Sequence, residues 1–290
     1  MLFEGARAAG LDFQKLLMRY LIAVTGKGGV GKTTTAALLI NRLIERNCKP
    51  VLAVDADPNT CLDTALGVTA QKTVGGVREE ARQIAAKGLS VGISKQELLE
   101  MKIAECLVEA KNFDLIAMGR PEGPGCYCYA NSVLKSVLNE ISSNYPYVVL
   151  DNEAGLENLS RRIVQEVDLL IMVADPSQMG LETVKRLHGL ACEMEMKYKQ
   201  LAIIVNRLRN QELPSYVHHV KAVTGAGYVV GLPDDVELAE IAENGKSISM
   251  LSPGNNVIKQ VDEFLTKVFA GVQAPLRGEP IRYVRGIAAL

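Results

Sequence analysis

Short apolar runs recur along the chain and alternate with stretches in which the apolar residues follow a helical period. A strand that is buried on both faces of a parallel sheet has a continuous apolar sequence, because both of its sides contact hydrophobic neighbours. The apolar runs therefore predict strands at 21–24, 51–54, 113–118, 147–150, 168–174, 201–205 and 228–232.

Between these runs, apolar residues recur every three or four positions, as they do along one face of a helix. This spacing predicts helices at 33–46, 74–87, 95–110, 178–197 and 256–270, and a further helix that begins near residue 129. Strands that alternate with helices indicate an α/β fold, a doubly wound and mostly parallel sheet flanked by helices with right-handed crossovers. We expect one domain over residues 19–271, preceded by an extension at 1–18 and followed by a tail at 272–290.

A glycine-rich turn follows the first predicted strand. Its sequence, Gly26-Lys27-Gly28-Gly29-Val30-Gly31-Lys32-Thr33, matches the phosphate-loop pattern G-x-x-x-x-G-K-[ST]. In this motif the backbone N–H groups surround a phosphate, the lysine adds a positive charge and the final hydroxyl binds Mg²⁺. The predicted nucleotide-binding residues are Gly26, Gly28, Gly29, Val30, Gly31, Lys32, Thr33 and Thr34.

Carboxylates stand where two of the predicted strands end. Asp55 and Asp57 follow the strand at 51–54, and Asp151 closes the strand at 147–150. The carboxyl ends of parallel strands meet at one edge of the sheet, where a bound Mg²⁺ and an attacking water would lie. We therefore predict Mg²⁺ binding by Thr33, Asp55 and Asp151; the alternative is that the aspartates cap turns.

A pair of cysteines follows the loop 119–125, which is rich in glycine and proline. Cys126 and Cys128 flank one tyrosine, and in an extended segment side chains at i and i+2 point the same way, so both sulfurs can reach one ion. A soft tetrahedral ion takes four ligands, and a symmetric dimer would supply a second pair. The alternative is that these are reduced, partly buried cysteines without a role.

Composition narrows the classes of function. The chain has 290 residues, of which 48% are hydrophobic, and a net charge of −1. This near-neutral charge argues against a protein that binds nucleic acid through a broad basic face. No apolar run has the length of a membrane span, and the N-terminus lacks the pattern of a secretory signal. We expect a cytoplasmic protein that binds neither nucleic acid nor membrane and whose six cysteines are reduced.

The second lysine of the phosphate loop, Lys27, makes the motif resemble the deviant Walker A of the MinD, ParA and nitrogenase iron-protein group of P-loop NTPases. This resemblance implies a face-to-face homodimer in which Lys27 reaches the partner's nucleotide. It also implies that Asp57 orients or activates the hydrolytic water, which makes Lys27, Lys32 and Asp57 the catalytic residues, and that Asp151 contacts Mg²⁺ through water.

The resemblance extends to the base-binding segments. Asn206 matches the asparagine that reads the adenine edge, and Arg207, Pro233 and Asp235 lie in the segments that would surround the base. Guanine-specific relatives have an aspartate where this chain has Arg209. The expected cofactors are therefore ATP or ADP and Mg²⁺.

A narrower resemblance rests on the deviant loop, Asp57-Pro58, Cys126-Tyr127-Cys128 and the sequence D-N-E-A-G-L-E-N-L-S-R that begins at Asp151. Together they resemble the CO dehydrogenase maturation factors of the CooC type. This resemblance implies an ATP-hydrolysing metallochaperone whose dimer holds Ni²⁺ or Zn²⁺ between the cysteine pairs. Its expected client is CO dehydrogenase or a related nickel enzyme.

Three other functions remain open at this point. An iron-protein-like reductase would share an iron–sulfur cluster across the dimer, although that group uses ligand cysteines that are well separated in sequence. A positioning or scaffold protein would use ATP to assemble on a membrane or DNA, although the last predicted helix, 256–270, mixes acidic and basic residues. The third possibility is an ATPase switch whose cysteines are incidental.

Overall fold

An eight-stranded sheet forms the centre of the computed structural model, which describes residues 19–77, 80, 101–120, 141–155, 166–210 and 212–270. The strand order is β3-β4-β2-β5-β1-β6-β7-β8, and all neighbouring strands are parallel except β3 and β4. The strands are β1 (Tyr20–Gly26), β2 (Val51–Asp55), β3 (Val108–Glu109), β4 (Phe113–Ala117), β5 (Tyr147–Asp151), β6 (Glu166–Ala174), β7 (Lys197–Leu208) and β8 (Tyr228–Pro233). The expected doubly wound, mostly parallel α/β fold is confirmed.

Helices cover both faces of this sheet. They are α1 (Lys32–Glu45), α2 (Leu62–Leu66), α3 (Gln178–Glu193), α4 (Tyr216–Thr224), α5 (Val236–Glu243) and α6 (Asn256–Phe269). Residues 74–77 and 101–104 are also helical. None of the helices in the described ranges is long and apolar enough to cross a membrane.

Two hydrophobic cores lie on opposite faces of the sheet, and β1 contributes to both by alternation. Ile22 and Val24 pack with α1 and α6, whereas Leu21 and Ala23 pack with α3 and α4. Successive side chains of a strand point to opposite faces, so a central strand with helices on both sides must be apolar at every position. This is why the strands appear in the sequence as continuous apolar runs.

The chain leaves β1 towards β2 on one side of the sheet and leaves β6 towards β7 on the other. Because β1 and β6 are neighbours, their connections diverge at the point where the glycine-rich loop follows β1. In open α/β sheets, ligands bind at such a point, outside the carboxyl ends of the strands. The fold therefore places the phosphate loop where a ligand crevice forms.

Some predicted boundaries were wrong. The helix expected at 95–110 does not reach its predicted end, because Val108 and Glu109 pair antiparallel with Leu115 and Asp114. The helix expected at 178–197 ends at Glu193: Glu195 turns with a positive φ of 54°, and β7 begins at Lys197. Pairing between strands determines where both helices end, and the periodicity of apolar residues in one segment does not show with which strand that segment pairs.

Several predicted regions lie outside the described residues. They are the extension at 1–18, the tail at 272–290, and residues 121–140, which include Cys126 and Cys128.

Candidate nucleotide site

The first and last glycines of the phosphate loop are required by close contacts. A Cβ at Gly26 would lie 2.3 Å from the carbonyl oxygen of Val173 on β6. A Cβ at Gly31, which has a φ of +94°, would lie 2.3 Å from Nδ2 of Asn206. Any larger residue would push the loop away from β6 and β7, so these glycines let it pack closely against both strands.

Helix α1 begins at the end of this loop with Gly31 as its N-cap, and its first turn contains no acidic residue. The unpaired N–H groups and the positive end of such a helix favour an anion. Lys32 is buried, and its Nζ donates a hydrogen bond to the carbonyl oxygen of Lys27 at 3.2 Å. Burial lowers the pKa of Lys32, whereas the nearby carboxylates of Asp151 and Asp57 act in the opposite direction.

Two buried aspartates lie side by side next to the loop. Asp55 and Asp151 are register partners on the adjacent strands β2 and β5, and each ends its strand. Burial raises the pKa of Asp151 to about 7, with a further contribution from the charge of Asp55. Burial also raises the pKa of Asp55, to about 6.

The two carboxylates differ in their partners. One oxygen of Asp55 accepts from the N–H of Asp57, and the other accepts from the N–H groups of Cys61 and Leu62 at the start of α2. Both oxygens of Asp151 are buried and make no hydrogen bond within the part of the chain that the structure describes. Buried polar atoms are rarely left without a partner, so this carboxylate is suited to a bound cation or water.

Mg²⁺ is the ion that the phosphate-loop motif implies, and the residues present fit it. The Asp151 carboxylate, whose oxygens have no hydrogen-bond partner among the described residues, and the Thr33 hydroxyl are hard oxygen ligands of the kind that Mg²⁺ prefers. The Thr33 hydroxyl is close enough to lower the pKa of Asp151. Asp55 is also predicted as a ligand, but its oxygens already hold the backbone of residues 57–62 in place.

Asp57 lies in the turn that follows β2 and is only half-buried. Its Oδ1 accepts two hydrogen bonds from Asn59, one from the backbone N and one from Nδ2, both at 2.9 Å. Asn59 in turn accepts a hydrogen bond at Oδ1 from Nη2 of Arg120, at 2.8 Å. The candidate catalytic carboxylate is thus held from one side by a short polar chain.

Residues 152–155 are attached to the strand that carries the phosphate loop. The backbone N and Nδ2 of Asn152 both donate to the carbonyl oxygen of Val24. The N–H of Gly155 donates to Gly26, and the Thr25 hydroxyl donates to the carbonyl oxygen of Gly155 at 2.6 Å. These bonds align the segment after Asp151 with the start of the loop.

Asn206 and Arg207 hold the loop from the opposite side. Nδ2 of Asn206 donates to the carbonyl oxygen of Val30 at 2.9 Å, and Nη1 of Arg207 donates to that of Gly29 at 3.3 Å. Asn206 Oδ1 accepts from the N–H of Arg207. Both Nδ2 and Oδ1 of Asn206 therefore already make one hydrogen bond within the protein. The predicted contact with adenine would use the second hydrogen of Nδ2 or the second lone pair of Oδ1.

The second predicted base-binding segment follows β8. Pro233 is the register partner of Leu208, the last residue of β7. Asp235 is the N-cap of α5 and accepts from the N–H of Leu238 and from Nδ2 of Asn255. The ends of β7 and β8 therefore bring the Asn206 and Asp235 segments to the same edge of the sheet.

The described cysteines form no metal site with their neighbours. Cys48 is half-buried, Cys106 is buried, and Cys61 and Cys192 are exposed; all four are free. Among the described residues, no three His, Cys, Asp or Glu side chains are grouped so that they could hold a metal ion. Metal binding by Cys126 and Cys128 stays a prediction, since both lie outside the described ranges.

Comparison with known proteins identifies the family. The model of a family described as the AAA domain matches residues 18–203, which is more than half of the chain. The chain belongs to the AAA domain family. This AAA domain protein is 41% identical to the uncharacterized ATP-binding protein MJ0685 of Methanocaldococcus jannaschii, over 86% of this chain and 98% of that protein.

Two further similarities refine this assignment. This AAA domain protein is 32% identical to the carbon monoxide dehydrogenase accessory protein CooC of Rhodospirillum rubrum, over 64% of this chain and 74% of that protein. Its fold matches the crystal structure of a ParA family ATPase from Chlorobium tepidum with a TM-score of 0.64, at 21% identity over 85% of this chain and 97% of that one. The expected P-loop NTPase fold of the MinD and ParA type is confirmed.

Sequence reasoning missed several residues of this site. Thr25, Asn59, Arg120 and Asn152 hold the loop segments in place through contacts that are distant in sequence. Only Asn152 carried a local signal, because it lies inside the D-N-E-A-G segment.

Proposed function

We propose that this AAA domain protein hydrolyses ATP to ADP and phosphate. The observation that carries the proposal is the buried Asp151 carboxylate, whose two oxygens have no hydrogen-bond partner among the described residues and which lies beside Lys32 at the phosphate loop. Within a P-loop ATP-binding family, such an unsatisfied carboxylate supports Mg²⁺-dependent phosphoryl chemistry.

In this proposal the chain's own residues position the nucleotide and the water. The N–H groups of the loop and of α1, together with Lys32, would bind the phosphates. Thr33 and Asp151 would hold Mg²⁺, with Asp55 as the third predicted ligand. The bound Mg²⁺ would neutralise the charge that develops on the phosphate oxygens. Asp57 accepts a hydrogen bond from the water that attacks the γ-phosphorus, while the bond from that phosphorus to the bridging oxygen breaks.

We further propose a homodimer in which Lys27 contacts the partner's nucleotide. Lys27 is exposed, while Lys32 is buried in the loop, so the two lysines are suited to different tasks. An exposed cation at the mouth of the site can neutralise phosphate charge from outside the subunit, as a trans-acting cation does in other P-loop enzymes. ATP binding would then favour the dimer.

We propose that this dimer binds a metal ion and supports its insertion into a client enzyme. Cys126 and Cys128 of two subunits would hold one Ni²⁺ or Zn²⁺ ion, and the ATPase would support nickel insertion into CO dehydrogenase or a related client. The similarity to the carbon monoxide dehydrogenase accessory protein CooC supports this function. The C-x-C spacing supplies two soft ligands per subunit and four per dimer.

One experiment tests the metal and dimer together. The wild type and a Cys126→Ser/Cys128→Ser variant are passed through size exclusion with and without ATP and Ni²⁺, and the metal in each peak is measured. We expect one ion per dimer for the wild type and none for the variant. A Cys61→Ser/Cys192→Ser variant is the matched control, because it removes two exposed thiols outside the pair. Unchanged metal content in the Cys126/Cys128 variant would refute the site.

Hydrolysis has its own test. Phosphate release is followed for the wild type, Asp57→Asn and Lys27→Ala in the presence of Mg²⁺. We expect both variants to bind ATP and to lose most of the hydrolysis. A wild type that binds ATP and releases no phosphate, with or without Ni²⁺, would refute the enzymatic function.

A further inference from the structure

The catalytic candidate Asp57 is connected to a residue that is distant in sequence. Asn59 donates to Asp57 Oδ1 twice, through its backbone N and its Nδ2, and accepts at its own Oδ1 from Arg120 Nη2. Arg120 lies shortly after the end of β4 at Ala117, whereas Asp57 and Asn59 lie shortly after the end of β2 at Asp55. The connection therefore joins the carboxyl ends of two neighbouring strands.

The chemistry of the three side chains fixes the direction of each bond. An arginine can only donate hydrogen bonds, so it must face the oxygen end of the Asn59 amide. The NH₂ end then turns towards Asp57, where an ionised carboxylate can only accept. Without Arg120, the side chain of Asn59 would be held only at its NH₂ end and could swing away from the carboxylate. Arg120 therefore sets the orientation through which Asn59 holds Asp57.

The backbone that carries Arg120 is well anchored. The N–H of Met118 donates to the carbonyl oxygen of Asp55, and the N–H of Gly75 donates to the carbonyl oxygen of Met118, both at 2.8 Å. Gly119 has a φ of +63°, and a Cβ there would lie 2.4 Å from Cβ of Thr73. The chain thus passes closely over Thr73 in a conformation that suits glycine, and this directs Arg120 towards Asn59.

We infer that Asn59 and Arg120 are positioning residues for the Asp57 carboxylate in ATP hydrolysis. The inference rests on the proposed function of Asp57. Both Asn59 and Arg120 are exposed, so neither contributes to the core, and their bonds serve the geometry of the loop more than its stability. Their loss should affect the alignment of the attacking water and leave the phosphate-binding residues in place.

The test separates positioning from binding. Steady-state kcat and KM for Mg-ATP are measured for the wild type, Arg120→Ala, Arg120→Lys, Asn59→Ala and the double alanine variant. We expect kcat to fall between about 10-fold and 100-fold in Arg120→Ala, since small misplacements of a reacting group are that costly. KM should stay within about two-fold, because ground-state binding is untouched.

The remaining variants sharpen the test. Arg120→Lys should recover part of the rate, because an ammonium can also donate to Asn59 Oδ1. Asn59→Ala should resemble Arg120→Ala, and the double variant should lose no more than Asn59→Ala, because Arg120 acts through Asn59. Arg186→Ala, on the exposed side of α3, is the matched control and should keep the wild-type rate.

Three outcomes would overturn the inference, and they are distinguishable. If the wild type hydrolyses ATP, Asp57→Asn abolishes the activity and Arg120→Ala keeps its kcat, then Arg120 does not position Asp57 and the proposed function stands. If the wild type does not hydrolyse ATP, the proposed function fails and the inference fails with it. If Asp57→Asn remains fully active, hydrolysis stands, but the proposed role of Asp57 fails and the inference fails with it. Equal thermal unfolding of the variants and the wild type checks that the fold is retained.

Discussion

Replacing Asp151 by asparagine should stabilise the protein in the absence of metal and nucleotide. Asp151 is fully buried, neither of its oxygens has a hydrogen bond within the described ranges, and Asp55 is its register partner on β2. Burial and the charge of Asp55 raise its pKa from 3.8 to about 7. The ligand-free fold thus keeps a carboxylate in a place that disfavours its charge. An amide of the same shape removes that charge.

The size of the effect follows from the pKa. One pKa unit corresponds to about 1.36 kcal/mol, so the change from 3.8 to about 7 corresponds to about 4 kcal/mol of destabilisation when Asp151 is ionised. The amide of the variant is itself a buried polar group, which costs about 1–3 kcal/mol without a partner. We therefore expect Asp151→Asn to gain about 2 kcal/mol at pH 8, or about 4–8 °C in Tm.

The sign of the pH dependence follows from the raised pKa. The folded state binds the proton more tightly than the unfolded state, so the penalty is absent below about pH 4, grows with pH and is complete above about pH 7. At pH 5.5 about half of the penalty remains, about 2 kcal/mol, which the cost of the buried amide offsets. The advantage of the variant should therefore be largest at pH 8 and close to zero at pH 5.5.

Thermal unfolding in EDTA at pH 5.5, 7 and 8 measures this effect. Asp55→Asn is the informative comparison, because Asp55 accepts three backbone N–H bonds and its amide would turn a donor towards some of them. That variant should be destabilised. With Mg-ATP present, the Tm of the wild type should rise above that of Asp151→Asn, since only the wild type gains from binding the ion. A Tm for Asp151→Asn that is no higher than the wild type at pH 8, or a difference that does not change with pH, would refute the reasoning.

Three further predictions concern other parts of the molecule. Lys27→Ala should keep ATP binding and lose the ATP-induced dimer, as measured by sedimentation velocity; an unchanged dimer would exclude a trans role for this lysine. Asn206→Asp would place a carboxylate against the carbonyl oxygen of Val30 and should weaken ATP binding about 10-fold in calorimetry, since a hydrogen bond is replaced by repulsion. Phe264→Ala should reduce the free energy of unfolding by about 3–5 kcal/mol in urea, because this ring is 2% exposed and packs against Tyr228; a loss below about 1 kcal/mol would mean that the core of α6 repacks.

The fold was predictable because its strands are buried on both faces. Each central strand must be apolar at every position, and this leaves a continuous run that can be recognised without knowledge of its neighbours. The end of α3 and the start of β7 were not predictable in this way. Residues 194–200 contain Met194, Met196 and Tyr198, whose spacing alternates as in a strand and also continues the apolar pattern of the helix. Pairing with β6 decides between the two.

The site was predictable to the extent that its chemistry is local. The phosphate loop and the aspartates at strand ends are recognisable from neighbouring residues alone. What could not be predicted is which carboxylate remains unused. Asp55 and Asp151 occupy equivalent positions in the sequence, at the ends of apolar runs. Among the described residues, however, only Asp55 accepts hydrogen bonds from N–H groups of the chain that follows it.

Contacts distant in sequence link the elements around the phosphate loop. Asn206 holds the loop at Val30, and Arg120 reaches Asn59 from the end of β4. If both proposals hold, the second contact has a consequence for regulation, because Cys126 follows Arg120 by only a few residues. A metal ion bound at Cys126 would act on Arg120, and through Asn59 on the carboxylate of Asp57. Because Asp57 is proposed to serve hydrolysis and not ground-state binding, the metal should change kcat for ATP and leave KM within about two-fold.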